Sequence, residues 1–131
     1  YPTSRRKLTK LNSGKAATYE MMVRISSVRK YGITFDEDFG AGAENYLGDE
    51  YIFISDLIKA GGQAMFLPIT IATHPIESSA TPWSDDRAIM ARAAIFKRIF
   101  GPLAPIYRLA FILKARRGLN FGEILKFIIG K

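Results

Sequence analysis

The stretch Phe35–Gly62, FDEDFGAGAENYLGDEYIFISDLIKAGG, decides how this chain is read. Asp36, Glu37 and Asp38 form an acidic turn, Gly40, Gly42 and Gly48 punctuate a loop, and Asp49 and Glu50 open an amphipathic helix. Phe53, Ile54, Leu57 and Ile58 recur at i, i+1, i+4 and i+5, one apolar face at the helical period. Gly61 and Gly62 stop the helix, which is predicted over Asp49 to Ala60. Two carboxylates therefore occupy a first helical turn, directly after a glycine-rich loop. The helix dipole favours negative charge there, so these acids commonly do no more than stabilise the helix. A catalytic role needs support from the rest of the chain.

Working outward, the 131 residues suffice for one modest domain with a core, and the 48% hydrophobic and 24% charged content is not that of a disordered chain. The absence of cysteine excludes disulfides and thiolate metal sites and fits a reducing compartment. On the N-terminal side, Tyr1 to Lys15 is basic and polar with no apolar run behind it, so it does not read as a secretion signal. It reads as a loop or solvated tail, or as a mobile basic segment that meets phosphate. Thr18 to Ile25 is rich in β-formers and Met and predicts a strand or a strand-to-helix entry. On the C-terminal side, Gln63 to Leu67 and Ile69 to Thr73 predict two more strands, the second delivering the lone histidine, His74, before Pro75. The expected fold is α/β, or α+β if the chain is an isolated fragment: a small mixed sheet covered by the Phe53, Ile54, Leu57 and Ile58 face, with a helical tail.

Composition changes near residue 83, which divides the chain into 1–82 and 83–131. Ser84 or Asp85 caps a helix, and three apolar groups follow, separated by Gly101-Pro102, Pro105 and Gly118. From Arg87 onward the tail is densely basic, with Lys97, Arg98, Arg116 and Arg117 among its bases and Glu123 as its only acid. No run reaches the ~20 apolar residues that span a bilayer. Basic amphipathic helices suit a membrane interface, and Phe96, Arg98, Phe100, Phe111, Arg116, Arg117 and Phe127 are the expected membrane or partner surface. The same helices could instead pack on another domain or on a second copy of the chain, as a homo-oligomer. Nucleic acid ranks behind both, because the bases alternate with large apolar groups and no nucleic-acid-binding motif is visible.

From Glu20 to Pro68 the chain reads EMMVRISSVRKYGITFDEDFGAGAENYLGDEYIFISDLIKAGGQAMFLP, followed at Thr73 by THPIESS. This ordered set resembles the acceptor-side half of a bacterial family 2 glycosyltransferase, over roughly half of the chain. The resemblance implies part of a glycosyltransferase A-type fold with two halves. The first binds a nucleotide sugar and holds a divalent metal, Mg²⁺ or Mn²⁺, on an Asp-x-Asp. The second binds a glycan or lipid-linked acceptor and supplies the catalytic base. The family's acidic pair falls on Asp49 and Glu50; Glu50 aligns with its second acid, and the choice between the two stays open. Asp36 and the loop glycines Gly40, Gly42 and Gly48 fall on the acceptor side. His74 matches a histidine that approaches the metal and diphosphate in related folds.

One departure is large. No Asp-x-Asp after a βαβ pattern precedes this segment, so the chain reads as the C-terminal portion of a larger enzyme, or as a degenerate relative, inactive without the nucleotide-binding half. The expected function is sugar transfer in cell-surface polysaccharide synthesis, at the cytoplasmic face of the cell membrane. The alternative class is a non-enzymatic module that binds a membrane or a partner through its basic tail.

Overall fold

The computed structural model describes residues 2–71, 83, 85–115 and 118–131. These residues form a mixed α+β structure of helices and one small two-stranded sheet. The chain divides into two compact units, Tyr1–Glu37 with Asp49–Ile76, and Asp38–Gly48 with Glu77–Lys131. The glycine-rich loop thus groups with the C-terminal helices, where a composition-based boundary at 82/83 keeps it with the first segment. Two contacts lie within that grouping: Gly48 abuts the Ile95 side chain, and the Arg87 guanidinium lies over the Tyr46 ring at 4.9 Å.

In the first unit, β1 (Arg6–Lys7) pairs antiparallel with β2 (Met65–Phe66), Arg6 opposite Phe66. Helix α1 (Ile25–Tyr31) ends on Gly32 in the left-handed region, and α2 (Asp49–Lys59) follows the loop. Phe53 and Leu57 of α2 bury themselves with Ile33, and Met21, Val28 and Tyr31 pack against that cluster. Each such buried side chain contributes about 1.5–3 kcal/mol. Phe35 stacks on Phe53 with ring centroids 4.6 Å apart, which draws the acidic turn toward α2. Of the predicted face, Phe53, Ile54 and Leu57 are buried and Ile58 is half-buried, while Ile52 and Ser55 are buried as well.

The predicted mixed sheet is corrected. Thr18–Glu20 is a 3₁₀ turn, and Ile25 begins a helix. Met21 and Arg24 do have extended backbones, at φ −92°, ψ 129° and φ −76°, ψ 109°. The β-forming composition is therefore expressed locally, but residues 21–24 belong to no strand. The strand predicted over Gln63 to Leu67 shortens to two residues, and its partner comes from the basic N-terminal segment expected to be loop. Ile69 and Ile71 are exposed and outside any strand. The remainder of that predicted strand lies outside the described residues.

In the second unit, α3 (Asp86–Phe100) starts at Asp85, whose carboxylate accepts from the Ala88 N–H at 2.6 Å. Gly101 and Pro102 end it in a short 3₁₀ turn that leads into α4 (Ala104–Ala115). Helix α5 (Phe121–Ile129) opens with a reciprocal capping box between Asn120 and Glu123 and ends on left-handed Gly130. Ile89, Ala93 and Phe127 form its buried core, with Trp83, Phe96, Phe111, Ile112 and Leu119 packed around them. Phe127 sits edge-on to Trp83 and Phe96 at 5.2 and 5.6 Å. Arg108, only 3% exposed, ties the three helices together by donating to Ala93 O at 2.5 Å and Ile128 O at 3.1 Å. Among the described residues no helix is long and apolar enough to cross a membrane.

Candidate active site

The acidic pair sits where the loop becomes helix. Gly48 has φ 92°, a left-handed conformation that strains any residue with a Cβ, and Asp49 and Glu50 follow it in the first turn of α2. The other loop glycines, Gly40 and Gly42, also have positive φ, and the loop closes through Gly40 N–H to Asn45 O at 2.8 Å. The Asn45 amide donates to Asp38 O at 3.2 Å.

Helix α2 is anchored just beyond the pair. The Tyr51 hydroxyl donates to Lys10 O, and burial pushes its pKa up to about 12, so it stays a donor. Glu50 is held from a distant part of the sequence: its Oε1 accepts from both Thr18 N at 3.0 Å and Thr18 Oγ1 at 2.5 Å. A donor pair on one carboxylate oxygen favours the ionised form and restricts its rotation.

The two carboxyls are pushed apart in acidity. Asp49 lies above its ordinary range, chiefly through burial, then through its hydrogen bond to Glu50 and that group's charge. For Glu50, burial pushes upward, but hydrogen bonds from Thr18, from its own backbone and from Asp49 together bring it below the ordinary range. Glu50 therefore holds its charge to lower pH and is oriented by Thr18, and Asp49 takes up a proton more readily. Such a pair can accept a proton from a hydroxyl and share it between two oxygens.

The other predicted residues fall as follows. Asp36 is half-buried, next to Phe35 on the α2 face. His74, Arg116 and Arg117 lie outside the described residues. The predicted membrane or partner surface is corrected at Phe127, which is fully buried; Phe96 and Phe111 are half-buried and pack against it. Phe100 stacks on Tyr107 at 4.0 Å. Phe127, with Phe96 and Phe111 against it, contributes to the core of this unit. Arg98 is exposed on α3. Among the described residues no group of three His, Asp or Glu could hold a metal ion.

Sequence reasoning missed Thr18, Tyr51 and Arg108. Thr18 and Glu50 are 32 residues apart, and nothing in the local pattern at either marks the other as a partner. Comparison with protein-family models, curated proteins and solved structures found no match.

Proposed function

We propose that this chain is the acceptor side of a glycosyltransferase, and that the Asp49–Glu50 pair supplies its catalytic base. The observation that carries the reading is the placement of Glu50: ionised, fixed through Oε1 by two donors of Thr18, and paired with a carboxyl shifted the opposite way. Its geometry suits a base that must meet an acceptor hydroxyl in one orientation. The resemblance of residues 20–79 to family 2 enzymes supports the substrate class.

In this reading an acceptor hydroxyl on a glycan or lipid-linked glycan approaches the N-terminus of α2. As its oxygen attacks the sugar C1 of the nucleotide-sugar donor, Glu50 takes the hydroxyl proton and the nucleoside diphosphate leaves with the bonding electrons. Asp49 shares the transferred proton. The donor and its divalent metal bind on a nucleotide-binding half that these described residues do not supply, with His74 assigned to the diphosphate by resemblance alone. The glycosyltransferase A-type fold and a role in cell-surface polysaccharide synthesis at the cytoplasmic face belong to the same proposal.

The test is transfer from a panel of nucleotide sugars by the protein that joins this chain to its nucleotide-binding half. Glu50→Gln should lower turnover by at least ~10²-fold with the fold intact, the lower end for loss of a general base. Asp49→Asn should also slow transfer. Parental rates in both variants would remove the pair from the chemistry.

A further inference from the structure

Packing uses up one side of each C-terminal helix and leaves another. In α4, Arg108 is buried and Phe111 and Ile112 pack inward, while Ile106, Leu109 and Leu113 lie on the opposite side at i, i+3 and i+7. Ile106 is 64% exposed and Leu113 71%. In α5, Phe127 is fully buried, while Phe121, Leu125 and Ile129 point outward at i, i+4 and i+8, Phe121 being 80% exposed. Single exposed apolar residues are ordinary, but two neighbouring helices each presenting a helical-period apolar stripe are not. Helix α3 provides the internal contrast: its exposed positions are Asp86, Arg87, Lys97 and Arg98, a solvated face. Amphipathicity in the tail is thus double-sided on α4 and α5 and single-sided on α3.

The borders of these stripes are mainly basic. Lys114 flanks the α4 stripe and Lys126 the α5 stripe, both exposed, and Lys131 follows at the chain end. Lys126 has an ion pair with Asp86 at 2.6 Å, and Glu123, the acid on α5, is engaged in the Asn120 capping box. An anionic surface with an apolar interior meets both the stripes and their basic borders.

We propose that the outward faces of α4 and α5 form a lipid-docking surface. Ile106, Leu109, Leu113, Phe121, Leu125 and Ile129 enter the acyl boundary, and Lys114 and Lys131 lie at the anionic headgroups. The helices lie in the interface, since none among the described residues is long and apolar enough to cross. This surface excludes the phenylalanines of the tail core. It needs no sugar-transfer chemistry, so it stands or falls separately from the glycosyltransferase reading.

The test is flotation of the full chain with phosphatidylcholine vesicles carrying roughly a third phosphatidylserine. The native chain should bind at low salt, bind several-fold less as salt rises to physiological strength, and bind less to pure phosphatidylcholine. The triple variant Ile106→Ser, Leu113→Ser, Phe121→Ser alters exposed positions only. It should keep its helical circular dichroism and lose at least about tenfold in partitioning. A Lys114→Gln, Lys131→Gln variant, which leaves the Lys126–Asp86 pair in place, should flatten the salt dependence. Absence of binding at low salt, or equal binding by the triple variant, overturns the proposal. So does a native dimer that the triple variant converts to monomer, which would assign the face to a second copy.

Discussion

Thr18→Val is the perturbation that reads the candidate site most directly in the chain itself. Valine keeps the shape of threonine and the backbone N–H, but removes the hydroxyl that donates to Glu50 Oε1 at 2.5 Å. A hydrogen bond to a charged group contributes about 1.5–3 kcal/mol, and partial solvent exposure at this position reduces that to about 0.5–1.5 kcal/mol. With a urea dependence of about 1–3 kcal/mol per molar, the midpoint should fall by roughly 0.2–1.5 M at pH 7, followed on resonances of α2. The carboxyl of Glu50 should titrate at higher pH in the variant, because a donor that stabilises its ionised form is gone. The sign for stability follows. The folded pKa of Glu50 lies below its unfolded value, so its contribution is present above the unfolded pKa and is lost as pH falls through the folded one. Asp49 is shifted up and works in the opposite direction, its contribution present at low pH and lost as pH rises through its folded pKa. The difference between native chain and variant therefore isolates Glu50: it should be fully developed at neutral pH and vanish in acid. Thr18→Ser should behave like the native chain. A Thr18→Val chain with native stability and native Glu50 titration would refute the argument that Thr18 orients this carboxylate.

Two further outcomes test the helical unit. Phe127→Ala removes a fully buried ring that contacts Trp83, Phe96 and Phe111, and should destabilise the unit by about 3–5 kcal/mol, read by thermal unfolding and Trp83 fluorescence; a loss under about 1 kcal/mol would place this ring outside the core. Arg108→Met keeps the aliphatic packing but leaves Ala93 O and Ile128 O without their guanidinium donor, so the melting point should fall by an amount equivalent to about 1–3 kcal/mol, and an unchanged melting point would show that the guanidinium bonds add nothing.

What the sequence made legible was local. Helix α2 falls within a residue of its predicted end, because an apolar face at i, i+4 and a Gly-Gly stop are short-range signals. The helical character of the tail, expected as two or three short helices, and a cap at Ser84 or Asp85 were legible for the same reason. What was not legible depends on pairing between distant segments. Met21 and Arg24 adopt extended backbone without joining the sheet, whereas Arg6 and Lys7, unremarkable by composition, form the ladder. Periodicity also cannot tell which side of a doubly apolar helix turns inward, which is why the tail phenylalanines read as surface although Phe127 is fully buried. At the candidate site, the acids were visible as a pair, but the partner that sets their difference, Thr18, was not.

The central claim is that Glu50, oriented by Thr18, is the base for sugar transfer, and the pH dependence of kcat/KM in the protein carrying the nucleotide-binding half tests it most directly. A general base acts only when deprotonated, so the native profile should fall on its acid side as Glu50 protonates. The account predicts that this limb moves to higher pH in Thr18→Val, returns in Thr18→Ser, and disappears with the bulk of activity in Glu50→Gln. An acid limb that stays in place in Thr18→Val, or that survives intact in Glu50→Gln, would contradict it.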